Sequence, residues 1–150
     1  MKIGLIGLGV MGNAVIENVL SMHRNNLAAV YVHDLDENRI TAVLNKYDWI
    51  KAAPNLNDIV KNSDFLIEAA SASCVEELIN LVLQYKKNVL VMSAGGLLNV
   101  KSQLKQAEEE GLKIIIPHGA IAGLDAIASV KNFGIKSIKL SSYKPAEALE

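Results

Sequence analysis

Residues 2–12 read KIGLIGLGVMG, an apolar run that leads directly into three glycines spaced G-x-G-x-x-G. The run before the glycines is typical of a buried strand, and residues 13–16 continue with the pattern of an amphipathic helix. In such a unit Gly7 turns the chain, Gly9 leaves the backbone open to a diphosphate, and Gly12 brings the helix close to the strand. The N–H groups of the first helical turn also favour phosphate. The pyrophosphate site predicted from this stretch is Gly7, Gly9, Val10, Met11 and Gly12.

An acidic residue closes the second predicted strand. Asp34 follows the strand Ala29–His33 and stands about 20 residues beyond the last glycine, where a carboxylate accepts hydrogen bonds from the ribose of a dinucleotide. A carboxylate there repels the 2′-phosphate of NADP, so we predict NAD as the cofactor. Arg39 lies one helical turn further along and works against this preference, which keeps NADP as the alternative cofactor. A tight turn without any ligand would explain the glycines but not Asp34.

Short apolar strands alternate with amphipathic helices along the chain, as in a parallel sheet covered on both faces. Continuous apolar runs at residues 89–92 and 114–116 predict strands buried on both faces. Asp36, Asn55 and Ser73 are placed to cap helices. We therefore predict an α/β fold, a Rossmann-type doubly wound parallel sheet. Its predicted strands are Lys2–Ile6, Ala29–His33, Phe65–Glu68, Asn88–Met92 and Lys113–Ile116, with a further short strand in residues 48–52 and a half-exposed one in residues 135–141.

The composition excludes several classes of function. The 150 residues carry a net charge of −1 and their basic residues are scattered, so we expect no nucleic acid partner. The apolar runs are too short to span a membrane, and we expect neither a membrane partner nor a secretory signal. Cys74 is the single cysteine, which excludes an internal disulfide and favours a cytoplasmic protein. No residues have the spacing of metal ligands, so we predict no metal site.

Small residues follow the predicted strands at their carboxyl ends, where parallel sheets bind ligands. Ala69–Ser71 follow one strand, and residues 93–96 and 117–120 follow the next two. We expect them to line a slot for an extended cofactor, although loops after strands are often rich in small residues without any ligand. His118 is the histidine predicted nearest the nicotinamide and is our candidate proton relay. The alternative is a histidine that only hydrogen-bonds the backbone at the end of the strand.

Four motifs carry a resemblance to a known family. They are Gly7–Gly12, Glu68–Ser71 (EAAS), Ser93–Leu97 (SAGGL) and Pro117–Ile127 (PHGAIAGLDAI), of which the last is the most specific. Together they resemble the L-aspartate dehydrogenase family. The resemblance implies an oxidoreductase that converts L-aspartate with NAD or NADP to iminoaspartate, which hydrolyses to oxaloacetate and ammonia. It also implies that the glycine turn and Asp34 hold the adenosine half of the cofactor, that Ala69, Ala70 and Ser71 flank the nicotinamide half, and that Ala120 touches the nicotinamide end.

The chain departs from this family in two ways. Family members are longer, with their catalytic histidine beyond the first 150 residues, and they carry serine where His118 stands. We therefore expect an NAD(P)-binding domain over residues 1–120 and the start of a truncated substrate domain over residues 121–150. Such a chain would bind NAD but turn over little alone, with the catalytic and amino-acid-binding residues outside it. Apolar surface that the missing part would cover predicts a homo-oligomer.

Two other interpretations share the glycine turn. A β-hydroxyacid dehydrogenase of the 3-hydroxyisobutyrate type has an opening like residues 1–12. That family, however, carries an Asp-Ala-Pro-Val-Ser-Gly-like segment where this chain has residues 116–125. A stand-alone NAD-binding sensor or regulatory module has no need of residues 119–127 at the nicotinamide end. The sequence after Ala120 is therefore the region that separates these alternatives.

Overall fold

The computed structural model describes residues 1–119, 123–139, 141 and 143. The chain divides into two compact units, Met1–Pro117 and His118–Glu150. The predicted domain boundary between residues 120 and 121 falls in a gap of the described ranges and stays a prediction. No helix within those ranges is long and apolar enough to cross a membrane.

The first unit contains a six-stranded sheet in which all neighbouring strands are parallel. The order across the sheet is β3-β2-β1-β4-β5-β6, so the chain winds outward from the centre in both directions. The order reverses between β1 and β4, which is where doubly wound sheets bind ligands. The predicted Rossmann-type fold is confirmed. The strands are β1 (Lys2–Ile6), β2 (Ala29–His33), β3 (Ile50–Ala52), β4 (Phe65–Glu68), β5 (Asn88–Val91) and β6 (Ile114–Ile115).

Helices cover both faces of this sheet. They are α1 (Val10–Val15, continued by a π-helical turn over Ile16–Leu20), α2 (Glu37–Lys46), α3 (Leu56–Asn62), α4 (Ala72–Tyr85) and α5 (Lys101–Glu109), with short 3₁₀ helices over Arg24–Asn26 and Ala94–Asn99. Ile16, from the π-helical turn after α1, and Val43, from α2, pack with Leu5 of β1 in one core cluster. Ile59 and Leu78, from α3 and α4, belong to a second cluster. Because successive strand residues point to opposite faces, the two clusters lie on opposite sides of the sheet.

Two of the three predicted helix caps are confirmed. The Asp36 carboxylate accepts a hydrogen bond from the Asn38 N–H, and the Asn55 side chain accepts one from the Asp58 N–H. The predicted cap at Ser73 is wrong. Ser71 has an extended backbone and takes the N-cap position, so α4 begins at Ala72 and Ser73 lies inside the helix. The Ser73 hydroxyl lies 2.8 Å from the Ser71 hydroxyl.

The predicted burial of residues 114–116 on both faces is also wrong. Ile115 is 41% exposed because β6 is an edge strand, and Ile116, which follows β6, is 47% exposed. In β5, burial alternates instead of being continuous, with Val89 and Val91 fully buried. The apolar runs therefore indicated strands correctly but not how deeply the sheet covers them.

The second unit contains a helix, α6 (Leu124–Val130), followed by a 3₁₀ turn over Lys131–Phe133. The half-exposed strand predicted for residues 135–141 is wrong: its described residues, 135–139 and 141, form no strand. An isolated strand has no partner for its backbone hydrogen bonds, and the described part of this unit offers no second strand.

Candidate functional site

A cleft of about 780 Å³ lies at the carboxyl ends of the central strands, beside the point where the strand order reverses. Its wall contains Gly7 and Gly9 of the glycine turn, Asp34 at the end of β2, and Ala69–Ser71 after β4. The structure thus brings together residues that the sequence analysis assigned to one site from three separate segments. Ala120, assigned to the nicotinamide end, lies outside the described residues.

Two positions of the glycine turn, Gly7 and Gly12, pack so closely against neighbouring backbone that no side chain fits there. Gly7 has a φ of +91°, and a Cβ there would lie 2.6 Å from both the carbonyl oxygen of Ala69 and the nitrogen of Ala70. A Cβ on Gly12 would overlap the carbonyl oxygen of Gly7. Any side chain at either position would therefore push the turn away from β4 or lift α1 off it.

Gly9 differs from these two because the space beside it is open. The nearest atom to an added Cβ is Nη1 of Arg39, 3.8 Å away. The protein itself therefore does not require glycine here. A ligand that approaches the backbone from the cleft does require it, which is the fit expected for the pyrophosphate of a dinucleotide.

Asn13, which the sequence analysis overlooked, orders the start of α1. Its amide nitrogen donates to the carbonyl oxygens of Leu8 and Gly9, at 2.7 and 3.1 Å. The N–H groups of the first helical turn have no acceptor within the helix and remain available to a ligand. Val10 and Met11 lie in this turn and are 87% and 56% exposed, so both residues are accessible to a ligand.

Asp34 is held firmly against the glycine turn. Its Oδ2 accepts a hydrogen bond from the Leu8 N–H at 2.6 Å and its Oδ1 one from the Asp36 N–H at 2.9 Å. Burial alone would raise the pKa of Asp34. The two N–H donors and the positive charge of Arg39, with a smaller electrostatic contribution from His33, outweigh it, so the pKa lies below its ordinary value. The carboxylate is therefore ionised at neutral pH, and its side chain is only 9% exposed.

Arg39 also lines the cleft, where its guanidinium lies beside the carboxylate of Asp34. Its guanidinium lies 3.7 Å from Oδ2 of Asp34 and 3.5 Å from Oδ2 of Asp36, and its side chain is 54% exposed. Both ion pairs are long, so neither fixes the guanidinium strongly. A cation therefore lies beside the acid proposed to accept the ribose hydroxyls.

Residues Ala69–Ser71, which form one wall of the cleft, are held by hydrogen bonds from their backbone to Ile6 and Glu68. The Ala69 N–H donates to the carbonyl of Ile6 at 2.8 Å. The Ala70 N–H donates to Oε1 of Glu68, also at 2.8 Å, and Glu68 is fully buried. From the sequence, Glu68 was predicted only as the last residue of a strand and as part of a motif, without a role of its own. An acid at the end of an otherwise apolar strand was the signal that could have identified it.

Cys74 lies in the first turn of α4 and also lines the cleft. Burial raises the pKa of its thiol, with a smaller contribution from the negative charge of Glu68, although a hydrogen bond with Ser71 opposes the shift. Across the ranges that the structure describes, no three His, Cys, Asp or Glu residues could hold a metal ion.

His118 belongs to the second unit and has a carboxylate neighbour there. Its Nδ1 lies 3.4 Å from Oδ1 of Asp125, in the first turn of α6, and the two side chains are 59% and 90% exposed. This pairing was not predicted from the sequence, in which the two residues stand seven positions apart. A role in proton transfer stays a prediction.

A parallel sheet with a glycine turn at its switch point and an ionised acid closing the neighbouring strand defines a dinucleotide-binding domain. The chain belongs to the family described as homoserine dehydrogenase, NAD binding domain, whose model matches residues 7–117. This match confirms the predicted class of cofactor, NAD(P).

Curated relatives of the chain are L-aspartate dehydrogenases. The protein from Methanocaldococcus jannaschii is 36% identical, and the match covers 100% of this chain and 57% of that protein. The protein from Nitrosopumilus maritimus is 32% identical, with 99% and 56% covered. The chain thus spans a little more than half the length of these relatives. They confirm the resemblance drawn from the sequence and do not favour the β-hydroxyacid dehydrogenase or sensor interpretations.

Solved structures agree on the fold. The aspartate dehydrogenase from Thermotoga maritima superposes with a TM-score of 0.66 at 20% identity, covering 88% of this chain and 52% of that one. A UDP-N-acetylglucosamine 3-dehydrogenase from Acidithiobacillus ferrooxidans gives 0.63 at 20% identity, with 89% and 43% covered. At such identity the likeness establishes the fold alone.

Proposed function

We propose that the chain is the cofactor-binding part of an NAD(P)-dependent dehydrogenase that acts on L-aspartate. The names of the curated relatives support the substrate. In the proposed reaction, the amino acid loses a hydride from Cα and a proton from nitrogen to give iminoaspartate, and water then hydrolyses the imine to oxaloacetate and ammonia. Bound NAD(P) would supply the hydride acceptor.

One observation carries the proposed cofactor site: the open space beside Gly9 belongs to a cleft that the ionised Asp34 and the small residues Ala69–Ser71 also line. We assign the adenosine ribose to Asp34, the pyrophosphate to the turn around Gly9, and the nicotinamide half to the wall Ala69–Ser71. The full list of proposed contacts is Gly7, Gly9, Val10, Met11, Gly12, Asp34, Ala69, Ala70, Ser71 and Ala120.

We further propose that the site prefers NAD to NADP. The fixed, ionised carboxylate of Asp34 suits two ribose hydroxyls and repels a 2′-phosphate. Arg39 supplies the opposing charge. Arg39 would reduce the discrimination, and the fixed negative charge of Asp34 would keep the preference for NAD.

Cofactor binding, rather than turnover, is the activity we propose for these 150 residues, because they match little more than half the length of the relatives. Self-association into a homo-oligomer is a further proposal, supported by the exposed Ile115 on the edge strand and the exposed Ile116 directly after it. The cytoplasmic location stays a prediction from composition.

Calorimetric titration of the purified chain with NADH tests the proposed function. We expect saturable binding at one site per chain. Assays with L-aspartate and NAD at the same protein concentration should show little NADH formation. Absence of NADH binding by folded protein would overturn the cofactor site, and rapid L-aspartate oxidation would overturn the division between binding and turnover.

A further inference from the structure

Glu68 is an acidic residue at a fully buried position, where acidic side chains are rare. It closes β4 and its side chain is 0% exposed; the only other buried polar residue in the described ranges is Ser63. A buried charge is costly unless it is paired or hydrogen-bonded. None of the ion pairs within the described residues includes Glu68. Its partners must therefore be neutral donors.

Three such donors surround the carboxylate, and they come from two loops. Oε1 accepts hydrogen bonds from the Ala70 N–H at 2.8 Å and from the Ser93 hydroxyl at 2.7 Å. Oε2 accepts one from the Ser93 N–H at 2.9 Å. Ala70 belongs to the turn after β4 and Ser93 to the turn after β5. One buried side chain thus joins the loops at the ends of two neighbouring strands.

The loop after β4 is also the wall of the cleft. Ala70 packs so closely on the glycine turn that a Cβ at Gly7 would come within 2.6 Å of its nitrogen. Ala70 is therefore held in two ways, by close packing against Gly7 and by the hydrogen bond from its N–H to Glu68. Without the hydrogen bond to Glu68, Ala70 and Ser71 would lose a contact that holds them beside the cleft, while the Ala69 N–H would keep its bond to Ile6.

We propose that Glu68 is a positioning residue for the nicotinamide half of the cofactor, acting through the Ala70 N–H and Ser93. This proposal rests on the assignment of Ala69–Ser71 to that half. Glutamine cannot replace the acid fully. It has a single acceptor oxygen, and its NH₂ group would face an N–H donor of Ser93 or Ala70.

Binding of the whole cofactor and of its adenosine half separates this role from a general loss of structure. We would measure dissociation constants for NADH and for 5′-AMP with Glu68→Gln, Ser93→Ala and the control Glu76→Gln, an exposed acid on α4. We expect Glu68→Gln to weaken NADH binding by about tenfold or more and Ser93→Ala by about threefold. In both variants the affinity for 5′-AMP should change by less than about twofold, and the control should match the wild type.

The ratio of the two affinities is the decisive result. Equal weakening of NADH and 5′-AMP, or unchanged NADH binding in a folded variant, would overturn the positioning role. If Glu68→Gln does not fold, as judged by its thermal melt, Ser93→Ala decides alone, because it keeps the carboxylate and two of its donors. A wild-type chain that binds neither ligand would instead refute the cofactor site itself.

Discussion

The carboxylate of Asp34 accepts a hydrogen bond from the backbone N–H of Leu8, with 2.6 Å between Oδ2 and the nitrogen. This bond ties the acid at the end of β2 to the middle of the glycine turn. The same carboxylate accepts the Asp36 N–H through its other oxygen. Asp34 therefore has a structural task in addition to its proposed contact with the ribose, and the two tasks predict different measurements.

The structural task predicts a pH-dependent contribution to stability. Because hydrogen bonds hold the pKa of Asp34 below its ordinary value, its stabilising effect is complete above about pH 4 and is lost as the pH falls through the lowered pKa. We expect Asp34→Asn to lower the free energy of unfolding by about 1–3 kcal/mol at pH 7. Urea unfolding at several pH values should show the difference from wild type shrinking below about pH 4.

Asp48→Asn is the matched control, since that carboxylate is 90% exposed and makes only a 3.8 Å ion pair with Arg24. Its substitution should change stability by less than about 0.5 kcal/mol across the same range. A difference for Asp34→Asn that persists unchanged into acid would show that the carboxylate charge does not contribute.

The proposed ribose contact predicts a change in cofactor preference. Asp34→Ala should weaken NADH binding. It should also reduce the ratio of the NADPH and NADH dissociation constants, because the repulsion of the 2′-phosphate is removed. Arg39→Ala should weaken NADPH by about 5–30-fold while changing NADH by less than about threefold. Dissociation constants for both cofactors measure this. An Asp34→Ala variant with no relative gain for NADPH would contradict our account of selectivity.

Arg24→Ala provides the control for Arg39. The two arginine side chains are equally exposed, at 53% and 54%, but Arg24 pairs with Asp48 and stacks on Trp49 instead of reaching the cleft. We expect Arg24→Ala to leave the ratio of the NADH and NADPH affinities unchanged. A shift in that ratio would mean that net charge, rather than the position of Arg39, sets the preference.

The open space beside Gly9 predicts a variant that folds but does not bind. An added Cβ there would meet only Arg39, at 3.8 Å, so we expect valine to fold with a modest loss of stability at the start of α1, yet to fill the path of the pyrophosphate. We expect Gly9→Val to reduce NADH affinity by more than about 100-fold with a melting temperature only modestly below that of wild type. Calorimetric titration and a thermal melt measure the two quantities on the same sample.

Ala28→Val adds comparable bulk at an exposed position just before β2, at the opposite end of the strand from the cleft. It should bind NADH as the wild type does. Strong NADH binding by Gly9→Val would mean that the diphosphate does not approach the backbone there.

The sequence predicted the features that depend on local chemistry. A glycine turn needs its glycines, and the caps at Asp36 and Asn55 are bonds within three residues, so both could be read directly. The acid closing β2 could be found because its distance from the turn is set by one βαβ unit. These features predicted the fold class and the part of the cleft formed by the glycine turn and by the acid that closes β2.

Features that depend on contacts between residues far apart in the sequence could not be predicted in this way. The role of Glu68 rests on Ser93, which is brought near only because β4 and β5 are neighbours. The exposure of Ile115 follows from the place of β6 at the edge of the sheet, which an apolar run does not reveal. Asn13 was overlooked because its partners are backbone carbonyls, whose direction depends on the turn.

Cys74 provides a chemical probe of the cleft, because it is the single cysteine and lines the same wall as Ser71. Burial raises the pKa of its thiol, so little thiolate is present at pH 7 and alkylation should be slow and accelerate with pH. Saturating NADH should slow alkylation further, by about fivefold or more, because the proposed nicotinamide half covers this wall. The rate of iodoacetamide labelling, followed by mass spectrometry, measures it.

Two comparisons make this measurement specific. 5′-AMP should protect Cys74 less than NADH does, since the adenosine half is assigned to Asp34 rather than to the wall near Ser71. Gly9→Val should react at the same rate with and without NADH. Equal protection by 5′-AMP and NADH would indicate that the cofactor lies in the opposite direction along the cleft, with its adenosine against Ala69–Ser71. Protection that persists in Gly9→Val would place NADH away from the glycine turn.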